Sequence, residues 1–147
     1  MNEGRKQINM NEVLLSWEGD KKFLAREKQS GFKILAGSSS SEEADGAAFA
    51  SPPLLLLKSL GACAGIYFIV ISRKMKLEPI SLELSVGGQR DEEPPYSFQE
   101  IELDYHIRGS YTAEEVDRVL ELSHKYCPVL HSLNPEIEIR TDYTLRD

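Results

Sequence analysis

The chain has 147 residues, the size of one domain. Its 17 Lys and Arg against 24 Asp and Glu give a formal net charge of −7. No basic run stands out, so nucleic-acid binding is a poor expectation. Cys63 and Cys127 are its two cysteines, too few for a disulfide-stapled secreted fold or a zinc site built mainly of thiolates.

In chain order, residues 1–9 read as a frayed polar end with no apolar secretory segment. Period-two alternation follows. Val13, Leu15 and Trp17 share one face; Phe23 and Ala25 form a second short strand, and Phe32, Ile34 and Ala36 a third. The pairs Gly19-Asp20 and Ser30-Gly31 are turn signals, so a three-stranded antiparallel meander is expected. Residues 37–51, rich in Ser and Ala, read as a mobile loop.

Ser51-Pro52-Pro53 then opens a helix expected to run to Lys76. It is apolar almost all round until Arg73-Lys74. Its apolar stretch from Leu54 to Ile71 sits at the low edge of a membrane span, and the flanking alternation favours a soluble protein, without membrane partners, with one buried helix. A chain this small rarely surrounds such a helix alone, which points to an intertwined dimer.

Two further strands alternate, with Ile80, Leu82, Leu84 and Val86 inward on the first and Ile101, Leu103, Tyr105 and Ile107 inward on the second. Asp91 to Pro95 joins them as a hairpin loop, and Gly87-Gly88 reads as a bulge or turn. Thr112 and Glu115 form a capping-box start to a helix whose buried stripe includes Val116, Val119 and Leu120. Pro128 ends that helix and starts a short turn. Ile137 to Leu145 is a last strand. The order is α+β, in one domain covering residues 1–147.

Two small-residue or helix-end positions carry the thiols. Cys63 lies among Gly61, Ala62, Ala64 and Gly65, which admit a close approach. Cys127 precedes Pro128 at a helix break, where free N–H groups favour a thiolate. Both also fit the ordinary fate of a free cysteine, a small buried hydrophobe. His124, Cys127 and His131 follow at helical spacing but lack a fourth ligand, and Pro128 interrupts the helix, so no metal is expected. A Cys127–His124 nucleophile–base pair is conceivable, though a polar helix face is the simpler reading. His106 reads as solvent-facing, and Tyr67 and Phe68 as core or as the lining of an apolar pocket beside Cys63.

The stretch from Ser51 to Cys63, with Ser51-Pro52 opening the helix and Ala62-Cys63 in its middle, resembles the signature of the OsmC/Ohr family. Lys125-Tyr126-Cys127-Pro128-Val129 resembles that family's second cysteine motif. Trp17-Glu18-Gly19 and Ser30-Gly31 fit its meander, and the element order matches from about residue 11 to 145. Within the family the chain looks most like the YhfA-like group. The resemblance implies the OsmC-like fold, antiparallel sheets wrapped around long central helices in an intertwined homodimer, with thiol sites at the dimer interface. It implies a thiol-dependent peroxidase acting on organic hydroperoxides, with Cys63 peroxidatic, Cys127 resolving, a cation of the meander stabilising the thiolate (Lys21, Lys22 and Arg26 are candidates, with Arg26 chosen), no cofactor, and a dithiol reductant. Stress protection in the cytoplasm follows from the same resemblance. One departure stands out: where the family places a Glu in the first turn of the long helix, this chain has Pro53. Glu42 and Glu43 are candidates to replace it. The departure keeps a second expectation open, a dimeric binding protein that holds an apolar ligand and reduces little or no peroxide.

Overall fold

The computed structural model describes residues 11–38 and 49–147. Most of the loop expected at 37–51, with Glu42 and Glu43, and the expected frayed end at 1–9 lie outside the described residues. The chain divides into two compact units, Met1–Leu55 and Leu56–Asp147.

The first unit is the expected meander: β1 (Val13–Trp17), β2 (Lys22–Glu27) and β3 (Lys33–Gly37), antiparallel in that order. Gly19 and Asp20 both take positive φ, +93° and +48°, as a tight β1–β2 turn requires. Phe32 precedes β3 and is exposed.

The long helix α1 spans Pro52–Lys74, two residues shorter at its end than expected. Lys76 takes φ +61° and Leu77 N–H donates to Ser72 O at 2.8 Å, a Schellman closure. In the second unit α1 meets a sheet of β4 (Ser81–Arg90), β5 (Phe98–Arg108) and β6 (Glu138–Arg146). The β4–β5 pair is antiparallel, whereas β6 runs parallel to β5. The parallel pair exists because α2 (Ala113–Tyr126) and α3 (Pro128–His131) form the crossover between those strands. Thr112 caps α2 with a full capping box: Glu115 N–H donates to Thr112 Oγ1 at 3.1 Å, and Thr112 N–H to Glu115 Oε1 at 3.0 Å.

Alternation along β5 puts Ile101, Leu103, Tyr105 and Ile107 into one core with Leu57, Leu60, Ala64, Phe68 and Ile71 of α1 and Val116 and Val119 of α2. Ile80 does not join it. It lies just before β4, past the end of the core, and is 67% exposed. Away from the core, Leu54, Ile66 and Val70 of α1 are exposed. Thus α1 is long and apolar enough to cross a membrane by length and composition, yet one face is built into the core.

The small residues of α1 face β4. A Cβ on Gly61 would stand 2.8 Å from Val86 Cγ2, whereas one on Gly65 would meet Leu84 Cδ1 at an ordinary 3.5 Å. Gly88 is no turn but a position inside β4, where the Phe98 ring occupies the space a side chain would need; the irregularity falls instead between Gln89 and Arg90. The two helix glycines therefore predict opposite signs. Ala is favoured over Gly in a helix interior by about 0.5–1 kcal/mol, but Val86 is β-branched and stiff. Gly65→Ala should raise stability by that amount. Gly61→Ala should lower it by about 1–2 kcal/mol through overpacking. Urea titration of both variants checks the contrast.

Candidate functional site

Two helices deliver the thiols. Cys63 is half-buried in the middle of α1 and packs against the core cluster. Cys127 is fully buried and serves at once as the end of α2 and the start of α3, with φ −74° and ψ 109°. Pro128 excludes the helical region for the residue before it, so the chain turns at Cys127 and its side chain enters the core. His131 fixes this elbow from the other side. Its Nε2 lies 3.0 Å from His124 O and 2.9 Å from Lys125 O, so its ring N–H closes the carbonyl end of α2.

Burial pushes the Cys127 thiol above its ordinary range, and the side chain of Cys63, as hydrogen-bond and charge neighbour, pushes the same way. The backbone N–H groups of Leu130 and Val129 oppose the rise without cancelling it. Cys127 belongs to the core cluster and Cys63 packs against it, and both are free thiols.

Tyr105 of β5 completes the cluster. It is fully buried, its ring 5.6 Å from that of Phe68, and its hydroxyl stands 3.2 Å from His124 Nε2. Burial raises the Tyr105 phenol far above its usual range, with a charge on Cys127 adding to the effect. Burial also lowers the His124 imidazole. Both groups are neutral near pH 7, and the phenol and the neutral ring share one hydrogen bond. The nucleophile–base pairing of Cys127 with His124 is therefore replaced by a Tyr105–His124 pair. Tyr105 was legible in the sequence only as an inward residue of β5. The signal that marks it is its hydroxyl, which needs a partner when buried.

Arg26 lies on β2 in the first unit, opposite Leu14 and Lys33. The first turn of α1, with Pro53, holds no acid. His106 is solvent-facing as expected, bonded to Thr144 Oγ1 at 3.1 Å and Asp104 at 3.2 Å. Among the described residues no group of three or more His, Cys, Asp or Glu is placed to hold a metal ion.

Between α1 and the start of β4 runs an open, largely apolar groove of about 500 Å³, lined by Ala62, Ile66 and Ile69 of the helix and by Ile80, Leu82 and Leu84; Cys63 is not part of its lining.

Comparison with known proteins gives this arrangement its context. Protein YhfA of Escherichia coli K12 is 29% identical over 131 residues, 88% of this chain and 93% of that protein. The crystal structure of an OsmC-like protein from Mycoplasma pneumoniae superposes with a TM-score of 0.82 at 20% identity, covering 94% of this chain and 98% of the other. An organic hydroperoxide resistance protein from Elizabethkingia anophelis superposes with a TM-score of 0.75 at 16% identity, covering 96% and 99%. At those identities the two structures establish the fold. The model of the OsmC-like proteins matches residues 44–142, more than half of the sequence, and the chain belongs to that family.

Proposed function

We propose that the protein is a cysteine-based peroxidase that reduces organic hydroperoxides in the cytoplasm. The observation that carries this reading is that two free thiols from separate elements, Cys63 of α1 and Cys127 of the α2–α3 elbow, share one apolar cluster. Peroxide-related stress protection in the family, represented among the fold neighbours by organic hydroperoxide resistance proteins, supports it.

In the proposed cycle the Cys63 thiolate attacks the O–O bond of the hydroperoxide. The sulfur takes one oxygen as sulfenic acid and the alcohol leaves after taking up a proton. The Cys127 thiol then displaces the hydroxyl of the sulfenic acid, its proton leaves with that hydroxyl as water, and a Cys63–Cys127 disulfide forms. An external dithiol reduces it. The apolar neighbours of Cys63 favour an organic chain over hydrogen peroxide. Arg26 is proposed as the cation that stabilises the Cys63 thiolate.

The working form is proposed to be a homodimer, supported by exposed apolar residues: Ile66 of α1 is 60% exposed and Ile80, just before β4, 67%. A second copy is the natural cover for such a surface.

The absence of an acid from the first turn of α1 favours one alternative, a dimeric binding protein that takes an apolar ligand in the groove and turns over little peroxide. Thiol titration after one equivalent of cumene hydroperoxide separates the two. The peroxidase should lose both thiols together, faster than with hydrogen peroxide. Cys63→Ser should abolish peroxide consumption, and Cys127→Ser should stop it after one turnover. Two unreactive thiols would leave the binding reading. In light scattering the protein should run at twice its 16.6 kDa chain mass, and Ile66→Glu should shift it toward monomer.

A further inference from the structure

We infer that the His131 ring is a clasp that positions Cys127: it ties α3 back to the end of α2 and so keeps the Cys127 side chain in the core. That this hold serves disulfide formation rests on the peroxidase reading; the hold itself does not.

The elbow has little other support. α3 is four residues long and none of them is buried. Val129 and Leu130 reach the core only as half-buried neighbours, and the Cys127 side chain makes no capping hydrogen bond to α3. Yet Cys127, the residue that joins α2 to α3, is fully buried. A segment with few buried contacts opens more readily than the core it adjoins. Whatever holds α3 down therefore decides how long Cys127 stays inside.

The tie is polar, and it spans the cysteine. His131 Nε2 stands 3.0 Å from His124 O and 2.9 Å from Lys125 O. Both partners are carbonyls, which only accept, so Nε2 carries the proton and the ring donates, in the neutral imidazole and in the cation alike. The donor follows Cys127 in the chain and the acceptors precede it, so the bond closes a loop around the cysteine. Two further bonds shape α3 from within: His131 N–H donates to Cys127 O at 3.2 Å, and Ser132 Oγ donates to Pro128 O at 2.7 Å. Among the described residues, the ring's hydrogen bond is the one that joins α3 to the body of α2. A Cys63–Cys127 disulfide needs Cα atoms within about 7 Å, and a cysteine on a loose elbow spends less time in range. His131 is thus a positioning residue that acts through the place of Cys127.

The test uses the full chain with Cys63→Ser, so that Cys127 is its one thiol, and follows alkylation by iodoacetamide without peroxide. That reagent is slow enough for its rate to track the open fraction. His131→Leu removes the donor at an exposed position and should speed alkylation about fivefold, the weight of one hydrogen bond. His131→Gln, whose amide nitrogen lies as many bonds from the backbone as Nε2, should restore the parent rate. In low urea the His131→Leu rate should stay flat, because α3 opens locally. An unchanged rate in His131→Leu, no rescue by His131→Gln, or a rate that climbs with urea along the global unfolding curve overturns the inference. Should His131→Leu not fold, His131→Ser also removes the reach and reads the same rate. In the two-cysteine protein, one equivalent of cumene hydroperoxide with dimedone present should trap more Cys63 as sulfenic acid in His131→Leu than in the parent. An equal yield overturns the role in disulfide formation. A parent that consumes no peroxide would sink the peroxidase reading and leave the alkylation rates to decide the clasp.

Discussion

The structure of the second unit depends on how one apolar helix is covered. Over most of its 23 residues α1 offers no polar face on which to rest in water. The sheet and α2 cover one side, through Leu57, Leu60, Ala64, Phe68 and Ile71. Gly61 lets β4 approach that helix until Val86 fills the place of a missing side chain. That close fit positions the rest. It sets the level of β5, so that Tyr105 arrives beside Phe68, and it leaves Cys63 half-covered at the edge of the core.

The two cysteines occupy unlike environments for backbone reasons. Cys63 is held by regular helix, whose internal hydrogen bonds leave no N–H free to turn toward a sulfur. Cys127 sits where Pro128 breaks the helix, so N–H groups of the next turn are available to it. Burial outweighs them, and the Cys127 thiol stays protonated at neutral pH. A thiol that keeps its proton is a poor first attacker but a competent partner for an oxidised neighbour, whose departing hydroxyl accepts that proton. The asymmetry fits the order of events in the proposed cycle.

Much of the fold was legible because local signals and burial agreed. The meander, the capping box at Thr112 and the inward residues of β5 follow from alternation and cap chemistry, which act over a few residues. The errors arose where a distant element decided. Ile80 has the right parity for the core but lies beyond its end. Gly88 looks like a turn residue until the Phe98 ring is seen in its side-chain space. Periodicity also cannot say that β6 returns parallel to β5, since either direction presents the same face. At the site, both thiols were visible as motifs. Tyr105 and His124 were not visible as a pair, because their contact joins residues on a strand and a helix whose relative placement no local pattern encodes.

The chemistry of the core follows from what it excludes. A buried ionised group is costly unless it is paired, and the polar groups placed here are neutral and matched with one another. Tyr111 donates to Ser72 at 3.0 Å, Ser123 donates to the Val119 carbonyl at 2.6 Å, and the Tyr105 hydroxyl is hydrogen-bonded with His124. Among the described residues no buried side-chain nitrogen or oxygen lacks a partner. Each of those hydroxyls is committed to a neighbour and is a weak nucleophile in any case. Sulfur differs on both counts, since a thiol tolerates an apolar setting at little cost and becomes a strong nucleophile once its proton leaves. An apolar core built this way pairs off its oxygen and nitrogen groups, and the proposed chemistry therefore rests on Cys63 and Cys127.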